Sequence, residues 1–128
     1  MGAFFDIEGY EQIQNNLKQL GNKAKRVENK AIREGAEIVA DRMRKEVPVS
    51  NIDHLHIRDD IQVSKVKRKG GIPSVEVGPG ESTAWRAKFL EFGTVKMSPD
   101  PFISRSAKLS KNEVKAAIAS ELRKGLGL

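Results

Sequence analysis

Along the first half of the chain the apolar positions recur on a helical period. Tyr10, Ile13, Leu17 and Leu20 precede Gly21, which predicts a short amphipathic helix over residues 9–20 with the glycine as its stop. From Asn22 or Lys23 to about Glu46 the period continues on two adjacent stripes: Val27, Ala31, Gly35 and Ile38, then Ile32, Ala36, Val39 and Met43. Pro48 ends it, because proline has no N–H and its ring clashes with the preceding turn. Such a helix is about 36 Å long, the width of a domain of this size. A mid-helix glycine costs about 1 kcal/mol. Gly35 is therefore either the point where a second backbone packs closely or a tolerated weak point.

Beyond Pro48 and a loop through Ser50, Asn51 and Asp53, the period changes. Ile57, Ile61 and Val63 oppose Asp60, Gln62 and Ser64, the pattern of a half-buried strand. Lys65 to Gly71 reads as a basic, glycine-ended turn. Val75 and Val77 alternate with Glu76 before Gly78, Pro79 and Gly80, so the two runs predict a hairpin with a long basic connection. Ser82 or Thr83 can cap a short helix with Trp85, Phe89 and Phe92 at i, i+4 and i+7 and Gly93 as the stop; a strand is the competing reading. Asp100 followed by Pro101 is an N-cap signal for a helix through Ile103 and Ala107. Ser110 and Glu113 form a capping box for a last helix carrying Val114, Ala117, Ile118 and Leu122, stopped by Gly125. The sum is an α+β fold in a single domain, residues 1–128: a small antiparallel sheet packed by the long N-terminal-half helix and a C-terminal helix.

A chain of 128 residues supports one modest core. Its few aromatics gather in one place, with three of the five phenylalanines between Phe89 and Phe102 and Trp85 just upstream. The absence of cysteine excludes disulfides, zinc ribbons and thiolate catalysis, and fits a reducing cytosol. Residues 1–10 lack the basic and apolar regions of a signal peptide, and no run of about 18 apolar residues occurs, so neither export by that route nor membrane spanning is expected. Charge is uneven: residues 1–64 carry a formal −1 and residues 65–128 a formal +7. That asymmetry suits an anionic partner, DNA or an acidic protein, or serves solubility alone.

Candidate chemistry is sparse. His54 and His56 lie near Asp53, Asp59 and Asp60, but a structural metal site needs further soft ligands, so none is assigned. No serine has a nucleophile-elbow context, and Gly78-Pro79-Gly80 lacks the lysine and hydroxyl of a phosphate loop. No catalytic residue or cofactor is expected. Lys65, Lys67, Arg68 and Lys69 would project from a hairpin tip towards phosphates or an acidic groove, unless they simply solvate the turn. The lack of an aromatic platform beside them argues against single-strand readout.

The stretch Ala87 to Ala107, AKFLEFGTVKMSPDPFISRSA, resembles the signature of the gene-product-ten-like neck and tail-completion family of long-tailed bacteriophages. The matching positions are Phe89, Glu91, Phe92, Gly93, Thr94, Pro101 and Phe102. Upstream order agrees as well: a long charged helix ending at Val47 and Pro48, a strand at Asp59 to Val66, and a second strand ending Val77-Gly78-Pro79. One departure is His54-Leu55-His56, where the family often has Thr-Gly. The resemblance implies a virion or prophage structural protein, not an enzyme, made in the host cytoplasm and placed in the neck or tail. Copies of it would form a homo-oligomeric ring that meets other head–tail connector and tail proteins, and the basic hairpin could face either a DNA-filled lumen or a neighbouring ring protein. Glu91, Phe92, Gly93, Thr94, Pro101, Phe102 and Arg105 are then the assembly candidates, together with the loops 48–57 and 95–100, and Glu91 is a candidate ion-pair partner of Arg105. A free-standing basic DNA-binding protein is the alternative, and an enzyme of unrecognised type a third.

Overall fold

The computed structural model describes residues 21–128 together with Ile13. The helix expected over residues 9–20 lies outside the described residues, apart from Ile13, which is helical and packs against the core. Helix α1 spans Asn22–Glu46, with its apolar stripes turned inward: Ala31, Ile32, Gly35, Ala36, Val39 and Met43 are buried and Val27 and Ile38 are partly buried. Its chain leaves in extended conformation at Val47, as Pro48 requires. Helix α3 spans Phe102–Leu126 and packs antiparallel along it: Arg105 meets Glu46 at one end, and Lys30 lies 3.6 Å from Glu121 at the other. A Cβ placed on Gly35 would sit 2.9 Å from Ile118 Cδ1 and 3.1 Å from Val114 Cγ1. The small residue at 35 thus serves close helix packing.

Between the two long helices lie a 3-10 turn at Ile57–Asp60, strands β1 (Ile61–Val63), β2 (Lys67–Lys69), β3 (Ile72–Ser74) and β4 (Val77–Pro79), and helix α2 (Glu81–Phe92). β1 pairs antiparallel with β4, Gln62 opposite Gly78, and β2 pairs antiparallel with β3, Arg68 opposite Pro73. The fold is α+β. Its core joins Val39, Met43, Ile57, Ile61, Val77, Ala87, Phe102 and Ile118, so α1, the β1–β4 hairpin, α2 and α3 share one interior.

Several local expectations are corrected. Ile57 to Asp60 turns instead of extending, because Asp60 is held locally by Gln62 and reached by Thr83 Oγ1 at 2.8 Å. The first strand is correspondingly short. The long basic connection is itself a hairpin, β2–β3, whose tip is Gly70-Gly71 with φ of 61° and 80°, the left-handed pair that a two-residue hairpin turn requires. α2 forms, so the strand alternative fails, but neither Ser82 nor Thr83 caps it; Gly80 occupies the N-cap. The two predicted C-terminal helices are one. Ser106 and Ser110 lie in the buried seam of α3, where small side chains let helices approach, and the Ser110 hydroxyl makes no hydrogen bond among the described residues. Gly125 is not a stop either: α3 runs through it to Leu126, and a side chain there would strike Val27.

Candidate assembly surface

Helix α2 is inverted relative to an ordinary surface helix. Its buried side chains are Thr83, Ala87 and Glu91, whereas Trp85, Phe89 and Phe92 are 61, 47 and 67% exposed. The i, i+4, i+7 stripe read from sequence forms a helix face, but the face points to solvent. The polar inner face works because its groups are satisfied: Thr83 donates to Asp60, and Glu91 reaches the start of α3. Trp85 and Phe89 meet edge to face with centroids 6.2 Å apart, and the Arg86 guanidinium lies 5.9 Å from the Trp85 ring centre.

Glu91 accounts for the Glu-Phe-Gly-Thr motif at this end of the molecule. Its carboxylate accepts the backbone N–H of Ile103 at 3.0 Å and of Ser104 at 3.2 Å, and the Ser104 hydroxyl at 2.6 Å. It therefore caps α3 from another helix, filling the role expected of Asp100, and its negative charge sits at the positive end of the helix dipole. Asp100 is instead 2.7 Å from Arg105 Nη1, while Arg105 Nε contacts Glu46 at 2.9 Å. The expected Glu91–Arg105 pair is thus replaced by Arg105 bridging the loop before α3 to the last turn of α1. The hydrogen bonds that Arg105 donates to Asp100 and to Glu46 raise its pKa above the ordinary value.

The remaining motif positions shape the loop. Gly93 closes α2 at φ 75°, ψ 178°, and a Cβ there would lie 2.9 Å from Met97 O and from Pro99 N. Thr94 and Met97 exchange backbone hydrogen bonds at 2.9 and 3.2 Å, and Asp100 N–H returns to Leu90 O at 2.7 Å. Pro101 sits at the N-cap of α3, and Phe102 is fully buried in the subunit's own core. Of the seven assembly candidates, Phe92 supplies the exposed aromatic side chain.

The exposed apolar surface is wider than the motif. Trp85, Phe89, Phe92, Val95 and Met97 continue into Val49, Ile52 and Leu55 of the 48–57 loop; elsewhere among the described residues the exposed large apolar side chains are Ile72, Leu109 and Leu128. Phe89, Leu90 and Met97 line a shallow groove of about 360 Å³ with Val49, Ile52 and Ile57. The loop is fastened to α2 by Arg86, which contacts His54 Nε2 at 2.7 Å and donates to the Leu55 carbonyl. Arg86 can donate to Nε2 only when the ring is neutral. Desolvation, then the neighbouring Arg86 and His56, hold the His54 pKa below its ordinary 6.5. Among the described residues no group of His, Cys, Asp and Glu is placed to hold a metal, and no helix is long and apolar enough to cross a membrane.

The basic cluster separates into two kinds of residue. Lys65, Lys67 and Lys69 are exposed, but Arg68 faces inward: it lies 3.0 Å from buried Glu28 and donates to Lys25 O at 3.1 Å and Asn29 Oδ1 at 2.9 Å. Arg68 docks the β2–β3 hairpin against α1 and is removed from the set of free phosphate contacts. Alternation along a three-residue strand is the signal that separates Arg68 from its neighbours.

No curated protein and no solved structure matches the chain significantly. A family model does, over residues 11–93, well over half of the chain; it is described as "Bacteriophage HK97-gp10, putative tail-component". The match takes in α1, both hairpins and α2 up to Gly93, and stops short of Thr94, Pro101 and Phe102. The chain belongs to the HK97-gp10-like family of bacteriophage tail components.

Proposed function

We propose that this tail component is a structural subunit of the head–tail junction, in a neck or tail-completion position, and that copies of it join head to tail in a ring. It acts by assembly and not by turnover, with other phage structural proteins as partners, in the host cytoplasm during assembly and in the virion afterwards. The observation that carries the reading is the outward aromatic face of α2. Trp85, Phe89 and Phe92 sit beside five further exposed apolar residues, a patch of the kind that marks a protein interface. A closed ring needs two different surfaces on each subunit, so the face on one copy is covered by another part of the next.

Light scattering and electron microscopy of the purified protein, alone and with portal and tail proteins, test this. A ring, or incorporation into a connector, is expected for the native chain, and F89S/F92S should leave a folded monomer. A chain that stays monomeric at all concentrations, joins no connector and binds duplex DNA tightly at physiological salt would establish the free-standing DNA-binding alternative instead.

A further inference from the structure

Among the described residues, most of the net charge is collected at one end, from three segments far apart in sequence. Arg68 pins the β2–β3 hairpin to the first turns of α1, and the last turns of α3 lie against the same turns, with Glu121 3.6 Å from Lys30 and Gly125 packed on Val27. Residues 22–30, 65–76 and 121–126 together hold ten Lys and Arg against three acids, a net +7, so the rest of the chain is nearly neutral against the total of +6. Two of those acids are already engaged: Glu28 by Arg68, and Glu121 by Lys30 and Lys124. Lys23, Lys25, Arg26, Lys65, Lys67 and Lys69 are exposed. The aromatic face of α2 lies near the other end of α1, about 30 Å away along its axis.

We propose that this basic end is a contact surface for the sugar–phosphate backbone of duplex DNA, reading charge without sequence. Three features favour phosphate over an acidic protein. Most of the exposed cations are lysines, spread over separate elements, which suits an extended polyanion more than one groove. No aromatic side chain lies among these segments, whereas protein interfaces concentrate their binding on buried aromatic anchors. Lys67 and Lys69 share a face of β2, about 6.7 Å apart at strand spacing, close to two nucleotide rises of about 3.4 Å along one DNA strand. The contact does not require the ring, because it uses the opposite end of the subunit.

Fluorescence anisotropy of a short duplex of arbitrary sequence, titrated at a series of salt concentrations, tests the surface, with polyglutamate as the competing probe. Duplex binding should weaken log-linearly with salt, and K67A/K69A should flatten the slope by about 2, since each phosphate contact contributes about 0.9. Circular dichroism confirms that the variant is folded, and F89S/F92S should bind the duplex as the native chain does, so that failure of the ring and failure of this surface are told apart. An unchanged slope in K67A/K69A, or capture of polyglutamate without the duplex, would overturn the proposal.

Discussion

Glu91 and Gly93 show how two residues of one short motif act through different physics. Glu91 satisfies two backbone donors and one hydroxyl at the start of a helix to which it does not belong. Glu91→Ala leaves those donors without their acceptor, and the expected loss is about 2 kcal/mol of unfolding free energy, read from urea denaturation. Glu91→Gln keeps one acceptor oxygen and should lose less. Gly93 is required by conformation and by space together: its dihedrals are open essentially to glycine, and the atoms a Cβ would meet include backbone that cannot move aside. Gly93→Ala should cost about 1–3 kcal/mol and lower the melting temperature by calorimetry.

Among the elements, the long helices gain their stability from a seam so close that three of its positions, Gly35, Ser106 and Ser110, have little room to grow. Gly35→Leu forces Ile118 and Val114 apart, and an overpacking loss of about 1–3 kcal/mol is expected from chemical denaturation. The 48–57 loop depends on a titratable fastening instead. His54 is held neutral in the fold, so its folded pKa lies below the value it has when released. The unfolded or detached loop therefore takes up the proton first. The loop's stability is full above about pH 6.5 and falls as pH drops towards the folded pKa. Amide exchange over residues 50–57, corrected for intrinsic rate, should quicken across that window in the native chain and lose its pH dependence in His54→Ala.

At the scale of the whole molecule, α1 sets the distance between two unlike ends. The end where α1 stops and α3 starts is apolar and built from α2 and two loops; the end where α1 starts and α3 stops is cationic. A subunit with its charge and its apolar surface separated in this way can make protein contacts at one end while leaving the other to solvent or DNA. The proposed functions are consequently separable: F89S/F92S should abolish assembly seen by light scattering, and K67A/K69A should leave it unchanged.

The sequence by itself determined α1, the stop at Pro48 and the α+β class, because a repeated apolar period and a proline act locally on the chain; the phage family came from the resemblance carried by its Glu-Phe-Gly-Thr motif and element order. It also marked Phe89 to Phe102 as the informative stretch. Which aromatics are inside was decided by tertiary structure: Phe102 is fully buried and Phe92 is 67% exposed, although both stand in the same signature. Capping signals at Asp100 and Ser110 are equally local, yet they lost to a carboxylate from another helix and to close packing along a continuous α3. Asp100 and Arg105, five residues apart, are joined to Glu46 by folding, and the cations of residues 22–30, 65–76 and 121–126 become one surface in the same way. Partners that distant in sequence leave no periodic trace, since a short-range pattern records which face of an element is apolar and not what that face meets.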